Sequence, residues 1–123
     1  MGITYNVRQA RGVTVVELSG RITLETNAPG SGVTLHELIR DLLKQGYKNL
    51  LLNLRDVSYV DSSGIGALFG CLTSVQSEGG VLKLTNPNER VRNLLHLTKL
   101  NTVLGVIEDE ATAVQSFSKV GAA

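Results

Sequence analysis

At 123 residues, with 42 % hydrophobic and 19 % charged side chains, the chain has the size and composition of one globular domain that buries its own core, and intrinsic disorder is excluded. A net charge of +1 without any block of like charge excludes nucleic-acid binding by bulk electrostatics, and two phenylalanines, three tyrosines and no tryptophan leave no base-stacking platform. No apolar run approaches the roughly 18 residues of a membrane span, and the first residues lack the basic-then-apolar form of a signal peptide, so a soluble, cytoplasmic protein is expected.

In chain order, Thr4–Arg8 and Val13–Ser19 are short β-rich runs joined by Gln9-Ala10-Arg11-Gly12 and predict a hairpin. The stretch Glu25–Gly32 is dense in turn residues and too short to divide the chain. Leu35, Leu38, Ile39, Leu42 and Leu43 then follow helical spacing up to Gly46. Asn49–Leu54 is a nearly continuous apolar run, as in a strand covered on both faces. Asp56–Asp61 leads into a second helix with Ile65, Leu68, Phe69, Leu72 and Val75 inward, stopped by Gly79-Gly80. Val81–Thr85 predicts a strand and Asn86-Pro87-Asn88-Glu89 opens a third helix with Val91, Leu94, Leu95 and Thr98 inward. Val103–Ile107 predicts the last strand, and Glu108–Ser118 the last helix, with Ala111, Val114 and Phe117 at helical spacing. The order β-β-α-β-α-β-α-β-α implies one α/β domain over residues 1–123: a small, mostly parallel sheet, an N-terminal hairpin and four helices.

The junction Val57–Leu68 carries the chemical information, because ligands and partners of such sheets gather where strands hand over to helices. Asp61, Ser62 and Ser63 are all good N-caps at a helix start, where free N–H groups and the dipole favour negative charge. Gly64 and Gly66 bare the first turn, although a helical glycine costs about 0.5–1 kcal/mol against alanine. A dinucleotide grip is not supported, since Gly64-Ile65-Gly66 is followed by Gly70 one residue late and Thr85-Asn86 offer no acid. A serine-hydrolase elbow lacks its first glycine, replaced by Val60, and no histidine is placed as a base. Two readings stay open on the residues alone. Either the segment is a cap with glycines for close packing, or a serine there accepts a phosphate of about −1.5 to −2 charges that repels a partner.

The segments Leu50–Leu54 and Val57–Gly66, with Asp61-Ser62-Ser63-Gly64-Ile65-Gly66 at their centre, resemble STAS domains, in particular the bacterial anti-sigma-factor antagonists. The resemblance extends through Gly79–Leu84, Val91–Leu97 and Leu100–Ile107. It implies a small sheet with helices largely on one face, and a non-enzymatic partner switch that needs no cofactor. The implied phosphoacceptor is Ser62, with an anti-sigma serine kinase as partner and ATP donor and a phosphatase for reset. The unphosphorylated protein would bind the kinase and free the sigma factor. Asp61, Ser62, Ser63, Gly64, Gly66, Gly70 and Thr73, with Ser74 beside them, would form the docking surface. The chain departs from the family pattern after Gly20, where Arg21, Ile22 and Thr23 stand in place of an acidic residue and, two positions on, an Asp, and in a longer Glu25–Gly32 loop.

Other residues have plainer readings. Cys71 cannot form an internal disulfide and is expected as a small buried hydrophobe, and with His36 and His96 it lacks zinc-ligand spacing. The two histidines are expected solvated or half-buried, and Arg90, Arg92 and Lys99 as a solvated face. Two alternatives remain beside the switch: a constitutive scaffold, stressosome-like or regulating a transport complex, and a small hydrolase using Ser62 or Ser63. Homodimerisation is left open.

Overall fold

The computed structural model of the protein describes residues 3–24, 26, 32–102 and 104–121. Strands β1 (Thr4–Ala10) and β2 (Val13–Ile22) form the expected hairpin. Its turn is only Arg11 and Gly12, both at positive φ (52° and 79°), the hand that suits paired strands. There follow α1 (Leu35–Lys44), β3 (Asn49–Val60), α2 (Ser62–Ser77), β4 (Val81–Thr85), α3 (Glu89–Leu97), a 3-10 turn at Leu100–Thr102, β5 (Gly105–Ile107) and α4 (Glu110–Gly121).

The strands lie side by side in chain order, β1 antiparallel to β2 and every later pair parallel. Crossovers of one hand between sequential parallel strands stack their helices on one face. There Leu50, Leu52 and Leu54 of β3 share a core with Ile39 and Leu42 of α1, Leu68 and Leu72 of α2 and Leu95 of α3. Helix α4 closes the opposite face, where Ala113, Val114 and Phe117 cluster with Val13, Val15 and Leu51. Cover on both faces is why the middle of β3 is apolar without alternation.

Four expectations need correction. β3 does not end at Leu54 but runs to Val60, because its register against β2 slips twice, between Glu17 and Ser19 and between Gly20 and Arg21. Each slip adds a residue to β3, so Leu54, Val57 and Val60 all face the core at intervals of three and the alternation expected of a strand disappears. Phe69 is 49 % exposed; α2 buries Ala67, Leu68, Cys71, Leu72 and Val75 instead. Ala111 is exposed, because Asp109 caps α4 through the Thr112 amide (2.8 Å) and starts it at Glu110, turning Ala113, Val114 and Phe117 inward. Thr98 is an exposed C-cap whose hydroxyl donates back to the Leu94 carbonyl (2.9 Å). Val103 and most of the Glu25–Gly32 loop lie outside the described residues.

Polar contacts fasten α4 to the sheet. Arg8 of β1 pairs with Glu110 and with Glu17 (3.3 Å), and the buried Asn53 of β3 donates its amide to Glu110 (3.0 Å). At the other side Lys83 donates to the Ser116 hydroxyl (2.8 Å) and sits 5.0 Å from the Phe117 ring centroid. The Arg8 hydrogen bond, with help from Asn53, holds the Glu110 carboxyl below its ordinary 4.5 against the opposing effect of burial. A carboxyl lowered on folding contributes stability that is full above its unfolded value and is lost as pH falls through the folded one. Urea midpoints of the wild type and Glu110→Gln should therefore lie furthest apart near neutrality and converge as pH falls below the folded value of the carboxyl. A separation that did not change with pH would remove the ion pair from the account.

Candidate functional site

The site is built where β2 and β3 end and α2 begins. Asp61 is the N-cap of α2, in extended conformation (φ −97°, ψ −174°). One carboxylate oxygen accepts from the Gly64 amide (2.8 Å) and the other from the Leu24 amide beyond β2 (3.0 Å). Its own amide donates to the Ile22 carbonyl (3.2 Å). The Leu24 amide, then those of Gly64 and Ser63, hold the Asp61 carboxyl below the usual aspartate value. Asp61 is therefore a structural bridge whose negative charge is already engaged by donors.

Ser62 follows as the first residue of α2 and is exposed; Ser63 is half-buried. Neither hydroxyl bonds to a described residue. A phosphate on Ser62 would meet the positive end of a 16-residue helix, which tolerates it.

The glycines separate into two kinds. A Cβ on Gly64 would stand 2.0 Å from the Ile22 carbonyl oxygen and 2.7 Å from Val60 Cγ1, so this glycine is required by packing between helix and strands. A Cβ on Gly66 or Gly70 would meet nothing within 4 Å. Their absent side chains serve no internal contact. Both border a groove of about 500 Å³ between α1 and α2, whose other wall carries His36, Glu37 and Arg40 and whose end is Ser63.

On α2, Ser62, Gly66, Phe69 and Thr73 fall within about 60° of one another, at 100° per residue, and all four are exposed. Thr73 turns its hydroxyl back to the Phe69 carbonyl (3.1 Å), leaving its methyl outward. Ser74 stands apart from this stripe and meets His36 Nε2 across the α1–α2 contact (3.0 Å). Spacing alone does not mark Phe69 as a surface residue, because α2 is apolar on nearly every side.

Among the described residues, no catalytic group stands beside Ser62. His36 is committed to Ser74, and His96 lies on α3 near Asn101 (3.4 Å). Burial pushes the Cys71 thiol up to about 12, which leaves it unreactive. Among the described residues no cluster of three or more His, Cys, Asp or Glu could hold a metal ion, and no helix is long and apolar enough to cross a membrane. Arg92 is no free surface cation, since it bonds the Pro87 carbonyl (3.3 Å) and Glu108 (2.7 Å) and ties α3 to the segment after β5.

The architecture is a mixed five-stranded sheet with three helices on one face, one on the other, and an exposed serine opening the second helix. The chain belongs to the STAS domain family, whose model matches residues 4–113. The anti-sigma-B factor antagonist of Bacillus subtilis is 33 % identical over 115 residues, spanning 94 % of this chain and 100 % of that protein. The crystal structure of an anti-sigma factor antagonist from Mycobacterium paratuberculosis has a TM-score of 0.77 at 24 % identity, over 94 % of this chain and 93 % of the other. The same fold occurs in the murine anion transporter Slc26a9, with a TM-score of 0.68 and 21 % identity, over 92 % of this chain but 18 % of that one.

The two kinds of glycine make opposite predictions. Gly66→Ala and Gly70→Ala should each raise stability, by about 0.5–1 kcal/mol, because alanine is the better helix former and the space is open. Gly64→Ala should destabilise by about 1–3 kcal/mol or more, since the clash is with backbone. Asp61→Ala should cost about 0.5–2 kcal/mol through the lost cap. Denaturant midpoints measure all four; destabilisation by Gly66→Ala comparable to Gly64→Ala would show that both glycines serve packing.

Proposed function

We propose that this protein is a cytoplasmic, non-enzymatic anti-sigma-factor antagonist, switched by phosphate at Ser62. The observation that carries the reading is the stripe on α2. It begins at a serine hydroxyl with no partner among the described residues and continues over backbone bared by Gly66, with Gly70 beside it, and packing needs neither glycine. Helix formation alone would replace such glycines, so their use is outside the chain. A partner can approach the helix closely there, with Phe69 as its apolar anchor.

The unmodified face docks on an anti-sigma factor that is also a serine kinase, and the sigma factor is released. The kinase brings ATP; this chain supplies the acceptor oxygen. Phosphorylation adds about −1.5 to −2 charges at the centre of the contact and dissociates it, without disturbing α2, whose N-terminus favours the anion. Asp61, Ser63, Gly64, Gly66, Gly70 and Thr73 shape the surface around Ser62, with Asp61 and Gly64 setting the backbone. A Ser/Thr phosphatase restores the docking form. Names of relatives support this reading, among them the anti-sigma-B factor antagonist of Bacillus subtilis.

The test is equilibrium binding to the host's anti-sigma kinase with Ser62→Ala, Ser62→Asp and Ser63→Ala. Ser62→Ala and Ser63→Ala should bind within a few fold of wild type. Ser62→Asp should weaken binding at least about tenfold, as burial of an unpaired charge requires. Binding of Ser62→Asp at wild-type strength would reject the switch.

A second reading has one observation behind it: the fold forms part of an anion transporter. There the protein would be a constitutive scaffold or regulator. Ser62 would then carry no phosphate in any growth condition, which intact-mass measurement of the protein from its host decides.

A further inference from the structure

The far end of β3 is left open on one side. Pairing of β3 with β4 stops at Asn53 and Thr85, whereas pairing with β2 continues to Ile22 and Val60. Helix α3 partly fills the place of the missing strand. Its cap Asn88 donates to the Val57 carbonyl (2.8 Å) and accepts from the Val91 amide (2.8 Å), fixing the helix beside the strand end. Beyond that bond, Ser58, Tyr59 and Val60 make no described backbone hydrogen bond except towards β2 and Gly20.

Between this edge and α3 lies a groove of about 790 Å³. Along α3 it is bordered by Arg90, Asn93, Leu94 and Leu97, a single helical stripe. Leu97 is 81 % exposed, the most exposed large hydrophobic side chain described, and Tyr59 across from it is 36 % exposed. The rim is cationic. Arg21 lies over the Tyr59 ring (5.3 Å to the centroid), and Arg90 and Arg21 have no acidic partner among the described residues. Glu89, the acidic residue among the described ones that line the groove, is in the first turn of α3, where the helix N-terminus compensates its charge, and the Asp61 carboxylate next to Val60 is engaged by the Leu24 and Gly64 amides.

We infer that this groove binds an extended, acidic segment of a partner protein, which adds a short strand to the free edge at Ser58–Val60. The open backbone gives the form of the ligand, the Leu94–Leu97 wall requires an apolar side chain, and Arg21 and Arg90 require carboxylates beside it. The inference does not rest on phosphate at Ser62, because every group it uses lies in β2, β3 or α3.

The test is a ¹⁵N NMR titration of the intact protein with three synthetic peptides: one alternating leucine and glutamate, one alternating leucine and lysine, and the acidic peptide N-methylated on alternate amides. The acidic peptide is expected to shift the Ser58, Tyr59 and Leu97 amides and to bind at least about tenfold more tightly than the other two. Leu97→Ser, exposed enough to leave the fold intact, should weaken it about tenfold, and Arg90→Glu several fold. Equal binding of acidic and basic peptides, undiminished binding of the methylated one, or no shift at these amides would overturn the proposal. So would broadening of the same amides with protein concentration alone, which would make the occupant a second copy of the chain.

Discussion

The carboxylate of Asp61 holds the functional end of the molecule together. It reaches forward to the Gly64 amide and across to the Leu24 amide, so one side chain starts α2 and fastens the segment leaving β2. Gly64 completes the constraint, because only a residue without Cβ lets the helix sit against the Ile22 carbonyl. A neutral cap would satisfy the helix less strongly and leave a weaker bond to Leu24, since ionised acceptors bind backbone amides more firmly. The exposed serine next to this bridge has its backbone fixed from both sides. The surface around Ser62 is thus preformed, and little ordering entropy would oppose the docking proposed for it.

The same end depends on irregularity in β3. Two added residues twist and lengthen the strand past its neighbour β4, carry Val57 and Val60 back into the core, and deliver Asp61 to the top of the sheet. A regular strand of the same sequence would place Val57 and Val60 on opposite faces. Bulges commonly re-aim side chains beside functional positions, and between the two bulges the Val57 carbonyl accepts from Asn88. Strand irregularity and helix capping therefore act together in one small region.

Much of this was legible in the order of residues. Helix α1 is sharply amphipathic, and Leu35, Leu38, Ile39, Leu42 and Leu43 are all buried as their spacing requires. The order of elements follows from alternating periods, and Asp61 is one of three adjacent residues that read as possible caps. Three features were not legible. Helix α2 is apolar on nearly every side, so spacing could not tell that Phe69 faces out while Ala67 and Cys71 face in. The bulges destroyed the alternation that marks a strand, so the end of β3 looked like a connection. The different duties of Gly64 and Gly66 depend on what lies opposite each, which is tertiary information. The serine, the glycines and the aspartate could be picked out in advance; which of them are exposed and which are held by packing could not.

Helix α4 stands apart from this organisation. Among the described residues it is the only helix on its face, it covers a small satellite cluster, and its fastening relies on the Arg8–Glu110 ion pair, the Asn53–Glu110 hydrogen bond and the Lys83–Ser116 contact. Opening it would expose Val13, Val15 and Leu51 while α1, α2 and α3 kept their own, larger core. Amide exchange should accordingly divide the molecule into two cooperative units, with α4 opening at lower free energy than the rest. The surface at Ser62 belongs wholly to the more stable unit, so the back of the sheet can unfold and refold locally without disturbing the helix start at its top.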